Sequence, residues 1–89
     1  MKTNENLKHR KMIEQDIFPL LSLNISNMLQ SLSKTSLMFL EEIRLRPNKP
    51  LMLTIKNEDY LVTPQGQLTH DINISYIVST EDILKTFHF

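Results

Sequence analysis

The sequence contains no cysteine, no tryptophan and a single glycine, Gly66. Without cysteine there is no disulfide framework, no thiolate metal site and no thiol nucleophile, a profile that fits a reducing cytoplasm. A lone glycine flanked by Gln65 and Gln67 cannot supply the G-x-x-x-x-G-K-[ST] loop that wraps a phosphate, nor a dinucleotide-binding fingerprint. Charge of either sign is not in excess, because ten basic side chains offset ten acidic ones. Nothing electrostatic therefore favours nucleic acid or an anionic membrane as the main partner. The most apolar run, Ile17 to Ile25, is interrupted by Pro19, Ser22 and Asn24 and falls short of the roughly 20 residues that cross a bilayer. The opening Met1-Lys2-Thr3-Asn4-Glu5-Asn6 lacks the apolar stretch of a secretory signal. Asn24-Ile25-Ser26 and Asn73-Ile74-Ser75 are accordingly read as chance matches to the glycosylation pattern.

What is present describes one small globular domain. With 89 residues, 40% of them apolar and 22% charged, the chain buries only about 60% of its unfolded surface and has a thin stability margin. Residues 1–9 are expected as a flexible lead-in and 10–89 as the folded domain. From Arg10 to Leu21, Ile13, Ile17, Leu20 and Leu21 share one helical face, and Pro19 should end or kink that helix. Ile25, Met28, Leu29 and Leu32 repeat the pattern behind an N-cap at Ser22 or Asn24. After Lys34 the period drops to two. Glu41, Ile43 and Leu45 alternate with Glu42, Arg44 and Arg46, and Leu51, Leu53 and Ile55 with Met52, Thr54 and Lys56. Pro47 to Pro50 forces a turn between these strands, Lys56 to Asp59 makes a hairpin loop, and Tyr60 to Thr63 returns as a third strand. Pro64-Gln65-Gly66 is a turn with proline at its favoured position, and Leu68 to Val78 is loop with an extended piece near Tyr76 to Val78. Ser79 and Asp82 form a capping box for a last helix in which Ile83, Leu84 and Phe87 face inward. That helix reaches Phe89 without a glycine or asparagine cap, an ending that reads as cut. Exposure of Phe87 and Phe89 would then favour poor solubility or dimerisation. The fold class is α+β, a small three-stranded antiparallel sheet packed with amino-terminal helices and a carboxy-terminal helix.

Residues able to do chemistry are scattered. His9, His70 and His88 lack metal-ligand spacing; His70-Asp71 could in principle form an acid–base pair, but adjacent residues on a loop usually point apart. Ser22, Ser26 and Ser36 lack a nucleophile elbow, and Glu41 and Glu42 would project to opposite faces of a strand. Lys8-His9-Arg10-Lys11 reads as a solvated helix start, with a weak lipid or partner contact as the alternative. Met12, Met28, Met38 and Met52 read as core filling. Arg44 and Arg46, two apart on one strand, project from the same face as Glu42. They read either as a solvated face bridged to Glu58 or Asp59, or as an anion or interdomain contact. No catalytic, cofactor or metal residue is assigned.

Glu41-Glu42-Ile43-Arg44-Leu45-Arg46-Pro47, then Lys49-Pro50-Leu51, a strand pair, and Val78-Ser79-Thr80-Glu81-Asp82-Ile83 resemble the amino-terminal domain of the stage III sporulation protein AA family. Ile17-Phe18-Pro19-Leu20-Leu21 looks like the helix that opens that family, so the resemblance spans residues 10–89. Asn48 and Asn57 stand where relatives usually carry glycine. The family is similar to type II and type IV secretion ATPases and pilus retraction motors, whose amino-terminal domain packs on a neighbouring ATPase core in a hexameric ring. The resemblance implies a parent enzyme that binds ATP and magnesium in the mother-cell cytoplasm and energises or assembles the channel to the forespore. For this chain it implies a positioning or oligomerisation domain without ATP hydrolysis, because the Walker and arginine-finger regions are absent. Its partners would be the ATPase core or channel subunits, with peripheral membrane association only through such a complex. The role of Arg44 and Arg46 as interdomain or nucleotide contacts is likewise only implied. The alternative is a free-standing adaptor or protein-interaction module that docks an unrelated partner; the reading frame after the Phe89 codon discriminates the two.

Overall fold

A computed structural model describes the backbone of residues 2–86 and side chains from Asn6 onward. Helical backbone starts at Lys2, earlier than the boundary after residue 9 set from composition, and α1 runs Lys2–Met12. The polar composition that argues for a lead-in does not forbid a helix. His9 Nε2 donates to the Leu40 carbonyl at 2.6 Å, tying the helix to the sheet, and Arg10 pairs with Glu14 one turn on at 3.1 Å. Pro19 then acts as expected, but over a longer stretch. The chain widens into a π-helical segment, Ile13–Ile17, and tightens into a 3₁₀ turn, Phe18–Leu20. Pro19 has no N–H for the Gln15 carbonyl and its ring crowds that turn, so the ladder shifts by one residue and Phe18 N–H reaches Ile13. The shift rotates Phe18 into the core at 2% exposure, where simple periodicity places Leu20.

Helix α2, Leu23–Gln30, has Ser22 as its N-cap, accepting from Ile25 N–H. It buries Ile25, Met28 and Leu29, and Leu32 follows into the core as its spacing predicts. A further helix, α3 (Lys34–Met38), stands where strand character was expected to begin. Five residues are too few to show a period, and its signal is the cap alone, Ser33 Oγ accepting from Ser36 N–H at 3.1 Å. Met28 fills the core, whereas Met12 lies exposed at the start of the π segment.

The sheet is an antiparallel meander of four strands in sequence order: β1 (Leu40–Arg44), β2 (Met52–Ile55), β3 (Glu58–Val62) and β4 (Leu68–Thr69). The three-stranded expectation is corrected by β4, which is only two residues long and pairs with Leu61 and Val62. Asn48 at the Pro47–Pro50 turn adopts φ 64°, and Lys56 and Asn57 make a two-residue hairpin turn at φ 50° and 64°. Positive φ at both positions matches the right-handed twist of the strands, so Glu58 and Asp59 belong to β3 and not to the loop. Tyr76 to Val78 is extended, as expected. Tyr76 bridges Leu51 and Val62, donating its N–H to the Val62 carbonyl while its own carbonyl accepts from Leu51 N–H. Leu51, Leu53 and Val62 are fully buried on one face of the sheet and meet Phe18, Ile25 and Leu29 of the helical layer.

Helix α4, Thr80–Lys85, opens with the expected capping box between Ser79 and Asp82. Ile83 packs against the core as expected, Asp82 is buried beside it, and Leu84, expected inward, is 69% exposed. Phe87 and Phe89, and the ending inferred from them, lie outside the described residues.

Gly66 closes the Thr63–Gly66 turn by donating to the Thr63 carbonyl at 2.9 Å, with φ +84°. A Cβ there would stand 2.5 Å from both the Met28 carbonyl oxygen and Ser31 Cβ. Gly66→Ala is expected to destabilise the domain by at least about 1–3 kcal/mol in urea denaturation, with an unchanged m-value. Substitution of the exposed neighbour Gln65 by Ala should stay within about 0.5 kcal/mol of the parent.

Candidate functional site

A cleft opens between the π-helical segment and β1. Ile13, Ile17 and Leu21 form one wall, Ile43 and Leu45 the other, and Glu41 and Glu42 stand along it; its volume is about 430 Å³. Both walls depend on a local irregularity. The π turn sets the phase of the helical wall. On the other side, a bulge in β1 places Leu40 opposite Ile55 and Glu42 opposite Thr54, so one extra residue, Glu41, is inserted. Plain alternation puts Glu41 on the Ile43 side and Leu40 on the other. The bulge resets the phase, so Leu40 (1% exposed) and Ile43 both face the core and Glu41 turns to solvent.

Among the described residues no strand pairs with the outer edge of β1, which is terminal in the sheet. Glu42 and Arg44 project from its other face, where Arg44 Nε meets Glu42 Oε2 at 3.0 Å and Arg44 Nη1 approaches Met52 Sδ at 3.3 Å. This same-strand pair replaces the cross-strand bridges expected to Glu58 or Asp59. Asp59 instead accepts from Thr54 Oγ1 at 2.6 Å, and Glu58 accepts from the Tyr60 hydroxyl. Arg46 does not join Arg44. The strand ends at Arg44, and Arg46 is an exposed turn residue whose carbonyl accepts from Lys49 N–H.

The other chemically capable side chains are engaged separately. His9 spends Nε2 on Leu40, so that nitrogen carries a hydrogen. His70 packs against Tyr60 with ring centroids 5.0 Å apart, while the Asp71 carboxylate accepts from Asn73 N–H. Among the described residues no three His, Asp or Glu side chains come together to hold a metal. Gly66 does not serve as a phosphate-wrapping glycine. Gly66 is turned against Met28 and Ser31, and its N–H already serves the Thr63 carbonyl.

Asp82 is the one deeply buried carboxylate in the described chain, at 2% exposure. Oδ1 accepts from Ser22 Oγ at 2.8 Å, and Oδ2 from Ser79 N–H at 3.1 Å and from the Tyr76 hydroxyl. Thr86 Oγ1 donates to the Asp82 carbonyl at 2.7 Å and accepts from Ser22 N–H at 3.2 Å. The bonds close into a ring through Ser22, Asp82 and Thr86, and the cluster acts as a structural clasp. Ser22 and Ser79 are legible as caps in the sequence; their meeting at one carboxylate is not. Burial pushes the Asp82 carboxyl up, but the bonds from Tyr76, Ser79 and Ser22 outweigh it and hold the group below the usual carboxylate range. Burial raises the Tyr76 hydroxyl, and the bond to Asp82 and its charge raise it further.

A carboxyl whose folded pKa is depressed stabilises the fold above its unfolded pKa, about 3.9, and loses that contribution as pH falls through the folded value. Asp82→Asn is expected to cost roughly 1.5–3 kcal/mol at pH 7. The gap between parent and variant should narrow in denaturation curves taken below about pH 4.

No protein-family model, curated protein or solved structure gives a significant match to this chain.

Proposed function

We propose that this chain is a non-catalytic positioning and oligomerisation domain of the kind found at the amino terminus of stage III sporulation AA-type ATPases. In this reading it docks on an ATPase core or a channel subunit in the mother-cell cytoplasm. The partner core supplies ATP, magnesium and hydrolysis, and the assembly serves the channel between mother cell and forespore. The observation that carries the reading is the open apolar cleft beside the terminal strand β1, built from Ile13, Ile17, Leu21, Ile43 and Leu45. An apolar cleft bounded by an unpaired strand edge suits a protein segment, which can seat side chains in the cleft and main chain on the edge. The order of elements supports it as well. The strand beginning Glu41-Glu42-Ile43-Arg44, the proline turn with Asn48 at positive φ, the hairpin and the capped Ser79-Thr80-Glu81-Asp82 helix follow the pattern on which the resemblance rests.

The reading predicts that the purified chain binds the purified ATPase core of a stage III sporulation AA-type protein in titration calorimetry. Ile43→Glu, which places a charge in the cleft wall, should weaken that binding at least tenfold with little change in far-UV circular dichroism. The 89 residues alone should show no ATP turnover. Undiminished binding by Ile43→Glu, or phosphate release by the chain alone, would overturn the proposal.

A further inference from the structure

The edge of β1 is complementary to itself. Val62 N–H donates to the Leu51 carbonyl at 3.2 Å, which sets the phase of β2: Leu51, Leu53 and Ile55 direct main-chain groups to β3, and Met52 and Thr54 to β1. Lys56 N–H donating to the Phe39 carbonyl follows the same phase. Opposite Met52 and Thr54 stand Arg44 and Glu42, so these two spend their main-chain groups inside the sheet. Ile43, between them, turns its N–H and C=O outward, where no strand among the described residues receives them. The free edge has a limit, because the Leu40 carbonyl is already held by His9.

We propose that the occupant of this edge is a second copy of the same chain, paired antiparallel about a two-fold axis through Ile43. In that register Ile43 faces its own counterpart as a mutually hydrogen-bonded pair. Glu42 of one chain stands opposite Arg44 of the other, and the same pairing repeats across the axis. The side chains sort correctly in both layers. Glu42 and Arg44 share the exposed face, so the internal pair at 3.0 Å extends into an alternating quartet of charges across the join. Ile43 lies on the opposite face, the side of the cleft, so two isoleucines and the flanking Leu45 residues close the open side of each cleft. A register centred on Glu42 would instead set two carboxylates face to face, which the charges disfavour. Two-fold symmetry makes the patch meet itself and closes the assembly at two copies, joining two four-stranded sheets into one.

This inference rests on the cleft and edge being a docking surface and names what covers them in the free chain. A join of one short strand pair is small against ordinary stable interfaces, so the association should be in the micromolar range and weaken with salt.

Sedimentation velocity across a concentration series is the test. The parent chain is expected to shift from one to two copies with rising concentration. Arg44→Glu alone and Glu42→Arg alone should each weaken the dimer at least tenfold, and the double swap should restore it, since positions 42 and 44 remain opposite in sign. Thermal melting at low concentration checks that each variant folds. A monomer at every concentration, or a dimer indifferent to both single changes, overturns the inference. A monomeric parent whose binding to the ATPase core is still lost on Ile43→Glu defeats the self-pairing alone. Loss of neither dimer nor core binding on Ile43→Glu defeats the docking surface itself.

Discussion

The Asp82 carboxylate ties the start of α2 to the start of α4. Burying an ion is costly unless its lone pairs are filled, and here Ser22, Tyr76 and Ser79 fill them. Each donor belongs to a different part of the fold: Ser22 caps α2, Tyr76 bridges Leu51 and Val62 beside the sheet, and Ser79 caps α4. The clasp therefore fixes the helical layer against the far end of the sheet. Thr86 and Ser22 complete it through main-chain groups. In a domain this small, where the apolar core is limited, such a cluster decides which packing of the elements is the native one.

Fixing that end leaves the other end of the sheet open. β4 is a two-residue edge against β3, too short to template another chain, whereas β1 presents a longer edge flanked by an apolar cleft. The π turn and the β1 bulge, two irregularities of the backbone, meet at this cleft. Irregular ladders are often found where a fold re-aims side chains, and here they aim Ile13, Ile17 and Ile43 at one another instead of burying them elsewhere. The charges on the outer face of β1 then give the edge a direction and a register.

Much of the local structure was readable in the chain. The Ile25-Met28-Leu29-Leu32 stripe, the Ser79–Asp82 box, the Pro64 turn closed by Gly66 and the left-handed Asn48 and Asn57 all follow from interactions spanning a few residues. The candidate site was only half legible. Ile43 and Leu45 were readable as one strand face and Ile13 and Ile17 as one helical face, but nothing in either pattern said that the two faces form a single cleft. Arg44 and Glu42 were correctly placed on one face, while Arg46 was carried along by an alternation that the strand abandons at Arg44. Helix α3 and strand β4 leave no periodic signal in the sequence because five and two residues cannot establish a period.

Composition and spacing alone establish an α+β domain with a single glycine, no sulfur ligand of the thiol kind and no phosphate-wrapping loop. They also set which residues turn, cap and alternate, since those preferences reside in the backbone and side chain of each residue and its near neighbours. Folding settled the phase of Glu41 against β2 and the burial of Asp82. Each of these depends on partners distant in sequence, as Ser22 and Asp82 are across 60 residues. A contact of that length is stabilised only after the intervening chain has been ordered, so no short window of sequence contains it.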